Sequence, residues 1–137
     1  TTEDNPLAHR NDLTLSHLNE LDPLLLDDGH CLRDQIVDLC RHVDVNPTHS
    51  KAAETRAASL TTVMQLVSAG MGATLVPESS VSIECSRPGL ATATFAPGVS
   101  ASRQVGMVYR TSSSRTEEFQ KLGSIVGQAF QDVIAQN

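Results

Sequence analysis

The chain has no tryptophan, one tyrosine and three phenylalanines among its 137 residues. So few aromatics cannot supply a core, which must come from Leu, Val, Ile and Ala. Apolar runs are short, as at Leu24-Leu25-Leu26, far below the ~20 residues of a membrane span. No basic stretch leading into an apolar one opens the chain, so no signal peptide is expected. Basic residues are also scarce: 10 Lys+Arg face 16 Asp+Glu, a net charge of −6. That sign argues against bulk binding to a phosphate backbone. Cysteine is sparse and odd in number, at Cys31, Cys40 and Cys85. A small secreted domain usually carries a dense, even set, so the expectation is a cytoplasmic protein with reduced thiols.

Other motifs are missing too. There is no internal repeat, no G-x-S-x-G elbow and no pair of carboxylates placed as acid and base. Gly70-Met71-Gly72 follows a predicted helix and precedes a strand, the wrong order for a dinucleotide fingerprint. The eight residues between Cys31 and Cys40 do not make a zinc spacing, and His9, His17, His30, His42 and His49 form no ligand pattern. No metal and no cofactor are therefore expected.

What the chain does have is regular punctuation. Asn5-Pro6, Asp22-Pro23, Asp28-Gly29, Asn46-Pro47, Gly70, Pro77, Pro88-Gly89 and Pro97-Gly98 mark turns. Between them, short apolar runs predict strands at 24–27, 55–58, 73–76, 91–95 and 104–109. Helical periodicity predicts helices at 31–43, 59–69 and 117–135. Ser59 suits an N-cap and Gly70 a stop. Strands alternating with helices predict an α/β fold with a largely parallel sheet. The charge is uneven: residues 1–50 carry a net −7 and residues 51–137 a net +1. This split is too mild to mark two domains.

The most informative stretch is Asp28-Gly29-His30-Cys31-Leu32-Arg33-Asp34-Gln35, followed by Cys40. Cys31 stands at the predicted helix start, where free amide N–H groups and the positive end of the dipole favour a thiolate. His30 and Arg33 add positive charge nearby, and Asp34 and Gln35 can orient a polar guest. The plainer reading is an inert structural cysteine, and position alone does not choose between them. Cys40 is nine residues further on. In a regular helix that is about 900° of rotation and about 13.5 Å of rise. A disulfide needs Cα atoms roughly 4.4–6.8 Å apart. Either the two never bond, or bonding requires the segment to unwind. Cys40 also falls on the apolar face with Leu32, Ile36, Leu39 and Val43, as an ordinary core residue would. Cys85 reads as a structural or incidental thiol.

The run Leu-Asp-Asp-Gly-His-Cys-Leu-Arg-Asp-Gln at 26–35, with Cys40 behind it, resembles the hydrogen-peroxide-sensing members of the LysR-type transcriptional regulators. The segments 3–18, 59–77 and 103–110 resemble the wider family. The likeness covers nearly the whole chain and is weakest over 44–54 and 80–100. It implies a periplasmic-binding-protein-like (type 2) effector domain, mainly its second subdomain plus the C-terminal elements of the first. Residues 1–102 would be regulatory subdomain II with the redox cysteines. Residues 103–137 would be the return strand and C-terminal helix of subdomain I. The DNA-binding helix-turn-helix would be absent from this stretch, so DNA would be met only through that missing part.

The same resemblance implies roles for individual residues. Cys31 would be the peroxide-reactive cysteine and Cys40 its disulfide partner after refolding. Gly29, His30, Arg33, Asp34, Gln35 and Arg103 would shape the peroxide pocket. The helix at 59–70 would contribute to a homodimer interface, within a tetramer in the full-length regulator. A glutaredoxin or thioredoxin system would serve as reductant, and no membrane would be involved. The expected function is thus redox sensing rather than enzymatic turnover, with one peroxide reduced per switching event. Two readings compete with it. One is a LysR-type effector domain for a small ligand, with incidental cysteines. The other is a thiol peroxidase, disfavoured because no Cys-x-x-Cys is present.

Overall fold

A computed structural model of the chain describes residues 1–43 and 56–135. They fall into two compact units, Thr1–Ala101 and Ser102–Asn137. The turn expected at Asn46-Pro47, the first residue of the strand expected at 55–58, and His49 lie outside the described residues.

The first unit is built around a short parallel pair, β1 (Leu25–Leu26) and β2 (Arg56–Ala57), in register Leu25↔Arg56 and Leu26↔Ala57. Successive strand side chains point to opposite faces, and β1 uses both. Leu24 and Leu26 join Ala57, Val63, Met64, Val67 and Leu90 in one apolar cluster. Leu25 joins Leu18, Ile36 and Cys40 in another. Two helices cover these faces: α1 (Cys31–Arg41) brings Ile36 and Cys40, and α2 (Leu60–Ser68) brings Val63, Met64 and Val67. This is why the run at 24–26 is apolar throughout instead of alternating. No buried residue of either cluster is aromatic.

The ends of α2 follow directly from its sequence. The Ser59 side chain accepts a hydrogen bond from the Thr62 N–H at 3.2 Å. At the other end Gly70 takes φ +75°. Its N–H donates to the Val67 carbonyl and that of Met71 donates to Leu66, closing the last turn. Gly72 follows at φ +151°, where a Cβ would lie 2.3 Å from the Asp22 carbonyl oxygen. That close approach lets Leu24 N–H reach the Ala73 carbonyl at 2.7 Å and Ala73 N–H reach Asp22 at 2.9 Å.

Three expected strands are not strands among the described residues. At 73–76 and 91–95 there are only isolated bridges, Pro23↔Ala73 and Leu13↔Phe95, with Thr2↔Leu90 just before the latter. Residues 91–96 still run along the N-terminal segment, bonding to Thr1, His9, Arg10 and Leu13 without forming a continuous ladder. Residues 104–109 carry no strand, because a strand exists only where a partner's backbone meets it. Short helical turns at Leu15–Glu20 and Glu78–Ser80, and a one-turn helix α3 (Val81–Glu84), were not anticipated.

The second unit consists of an extended approach and α4 (Thr116–Ile134). Tyr109 and Phe119 pack with ring centroids 5.3 Å apart, and the Arg115 guanidinium lies 5.7 Å from the Phe119 ring centre. α4 has no buried residue; Leu122, Ile125, Val126 and Val133 are exposed, as are Val105, Met107 and Val108. No described helix is long and apolar enough to cross a membrane.

Candidate functional site

The site is assembled by the turn that joins β1 to α1. Asp27 N–H donates to the Ala57 carbonyl, fixing the end of β1. Gly29 then turns the chain at φ +92°, a conformation that favours glycine. His30 is the N-cap of α1 in extended geometry, and its side chain makes no capping hydrogen bond. The first-turn N–H groups of α1 are therefore left without a side-chain cap, and Cys31 is the first helical residue.

Cys31 is exposed and Cys40 is buried, 1% accessible, and both are free thiols. Both lie within the same unbroken helix. The helical repeat therefore puts them on opposite faces, about 13.5 Å apart along the axis. Cys40 packs with Leu18, Leu25 and Ile36. Burial pushes its thiol above the ordinary value of 9.0, so the side chain stays protonated in its seat. Cys85 caps α3, packs half-buried against the other cluster, and is likewise pushed up by burial.

Asp34 and Gln35, three and four residues after Cys31, share its helix face; Asp34 is exposed and Gln35 half-buried. Arg33 points elsewhere. Its side chain is only 15% accessible, and Nη2 meets Asp28 Oδ1 at 2.9 Å while Nη1 lies 3.8 Å from Asp34. Its Nε is buried without a hydrogen-bond partner, the one such side-chain atom among the described residues. Asp28 also accepts from Arg56 Nη1 at 2.8 Å through its other oxygen. Gly29, His30, Cys31, Arg33, Asp34 and Gln35 thus occupy one turn and the start of one helix. Arg103 is exposed in the second unit. Asp28 opens the stretch singled out from sequence, but its partner Arg56 was not singled out. They are 28 positions apart, and only the β1–β2 register brings them together. No group of three or more His, Cys, Asp or Glu suited to a metal occurs among the described residues.

This arrangement presents one accessible thiol at an uncapped helix start and locks a second thiol in the core of the same helix. The profile of the LysR substrate binding domain matches residues 1–131. The chain belongs to that family. The LysR effector fold accounts for the mixed α/β architecture, of the periplasmic-binding-protein-like type expected above. Over 126 residues the chain is 43% identical to a probable hydrogen peroxide-inducible genes activator of Mycobacterium avium, covering 90% of this chain and 38% of that protein. A cysteine-to-serine mutant of Corynebacterium glutamicum OxyR with hydrogen peroxide bound matches with TM-score 0.92 and 61% identity, over 98% of this chain and 42% of that one. The oxidized form of that OxyR matches with TM-score 0.79 and 60% identity, over 99% of this chain and 42% of that one. This LysR-family chain spans about two-fifths of the length of the relatives it matches.

Proposed function

We propose that the chain is the peroxide-sensing part of a LysR-type transcriptional regulator, switched by Cys31 and Cys40. The observation that carries this reading is the placement of the two thiols on opposite faces of α1, one exposed and one buried. The Cys31 thiolate attacks one oxygen of hydrogen peroxide. The O–O bond breaks, the leaving hydroxide takes a proton to become water, and the sulfur becomes a sulfenic acid. The uncapped N–H groups of the first turn stabilise negative charge near the start of α1. Gly29, His30, Asp34 and Gln35 lie on the turn before α1 and on its opening turns beside Cys31, and are the residues that bind peroxide in this reading.

Cys40 cannot reach Cys31 while α1 is intact. Once α1 unwinds, the Cys40 sulfur attacks the sulfenic sulfur, the S–O bond breaks and water leaves with the thiol proton. The two thiols together lose two electrons, and one peroxide becomes two waters. A dithiol reductant of the glutaredoxin or thioredoxin kind reverses the step by exchange. No turnover is needed, and the domain acts as a sensor, not an enzyme.

In this reading residues 1–102 are regulatory subdomain II, and 103–137 are the return strand and last helix of subdomain I. Refolding of α1 changes how copies of the regulator pack as dimers and tetramers, and the output is transcription in the cytoplasm. DNA is contacted through a part of the regulator outside this chain. The test is a peroxide dose on Cys31→Ser and Cys40→Ser variants, read with a sulfenic-acid-trapping dione. Cys40→Ser is expected to accumulate trapped sulfenic acid at Cys31, and Cys31→Ser to give none at Cys40. A peroxide response that survives in Cys31→Ser would overturn the reading and favour a small-ligand effector domain.

A further inference from the structure

The contacts around Asp28 say more than that a turn is neutralised. Its two carboxylate oxygens hold two different guanidinium groups, Arg33 from α1 at 2.9 Å and Arg56 from β2 at 2.8 Å. β2 is itself pinned to β1 by the pairs Leu25↔Arg56 and Leu26↔Ala57. One end of this bridge is therefore anchored in the sheet and the other in the first turn of the helix. The Arg33 stem is largely buried, which leaves its head little freedom to let go alone. Without the carboxylate, two cations would face each other across the gap. Cys40 lies two turns further along the same helix, sealed against Leu18, Leu25 and Ile36. Unwinding of α1 as a whole brings Cys40 out and at the same time displaces Arg33 and breaks the bridge.

We propose that Asp28, by holding Arg33 to Arg56, is a latch on α1 that sets how often the reduced protein releases Cys40. Its meaning for peroxide sensing rests on the reading above, but the latch itself is a property of the reduced chain. Asp28 and Arg56 are positioning residues, acting on Cys40 through the helix. Because Asp28 is 70% and Arg56 42% accessible, the latch is screened by salt. Its loss should change the release of Cys40 by about twofold to fivefold.

The experiment is alkylation of the fully reduced chain, following each cysteine separately by peptide mass spectrometry. Cys85 is the internal control, since it packs on the other apolar cluster. Arg56→Gln is expected to label at Cys40 about twofold to fivefold faster with Cys85 unchanged, and Arg56→Lys to restore the slower rate. Salt near 1 M should speed Cys40 labelling of the unmodified chain more than that of Arg56→Gln, in which only the Asp28–Arg33 pair remains to be screened. An unchanged Cys40 rate in Arg56→Gln overturns the latch. A parallel rise at Cys85 also overturns it, because it would mean general loosening. Asp28→Asn, which breaks both arms and leaves the two guanidinium groups opposed, should label at Cys40 at least as fast as Arg56→Gln; if it fails to fold, the Arg56 pair of variants decides. A separate peroxide dose distinguishes the two readings: absence of any Cys31–Cys40 linkage would refute the disulfide switch and leave the labelling result standing for the latch.

Discussion

Ile36 and Cys40 are the two buried residues of α1, one turn apart, and together they form its seat on the sheet. Replacing Ile36, 3% accessible, by valine removes one methyl from that seat without adding a polar group. An Ile-to-Val change in a packed core costs about 1 kcal/mol. That is about fivefold in the equilibrium between seated and released helix. Cys31 is already exposed, so its reaction with peroxide should not change. The following step, sulfenic acid to disulfide, needs the helix off its seat and should speed up by as much as about fivefold. Rapid-quench thiol trapping with peptide mass spectrometry separates the two steps, and a urea titration of the reduced chain gives the loss of stability. A lowered urea midpoint with an unchanged or slower disulfide step would refute the claim that α1 must leave its seat first.

Gly72→Ala places a Cβ where 2.3 Å separates it from the Asp22 carbonyl oxygen, at a φ of +151°. It should destabilise the first unit by about 2–4 kcal/mol, seen as a fall in Tm. Ser59→Ala removes the acceptor for Thr62 N–H and should cost about 1 kcal/mol in a denaturant titration, with peroxide reactivity retained. The reduced chain should lose stability in alkali. Burial raises the Cys40 and Cys85 thiols above 9.0, so the folded form keeps protons that the unfolded chain releases. Nothing is lost well below pH 9, and stability falls as pH rises past that value. A thermal midpoint constant from pH 8 to pH 10 would contradict the assignment.

How much of this could be read in advance depended on range. Local chemistry was legible. Ser59 and Gly70 mark the ends of α2, and the helix beginning at Cys31 ends at Arg41, close to the expected boundary. The apolar run at 24–26 falls within the strand expected at 24–27 and is covered on both faces. The pairing of strands was not legible, since the runs at 73–76, 91–95 and 104–109 have strand-like composition but no continuous ladder among the described residues. Whether an extended segment becomes a strand is decided by what lies beside it. The site divided in the same way. The apolar face of α1 with Cys40 on it followed from periodicity, whereas the Asp28–Arg56 contact depends on a register between distant segments. The Arg33 guanidinium meets Asp28 at 2.9 Å, a contact that the sequence alone does not announce.

The most direct test of the central claim is non-reducing peptide mapping after a brief, near-stoichiometric dose of hydrogen peroxide. The account predicts a Cys31–Cys40 linked peptide that disappears on treatment with a dithiol, with Cys85 still free. Cys31 left unmodified while other thiols react would contradict it.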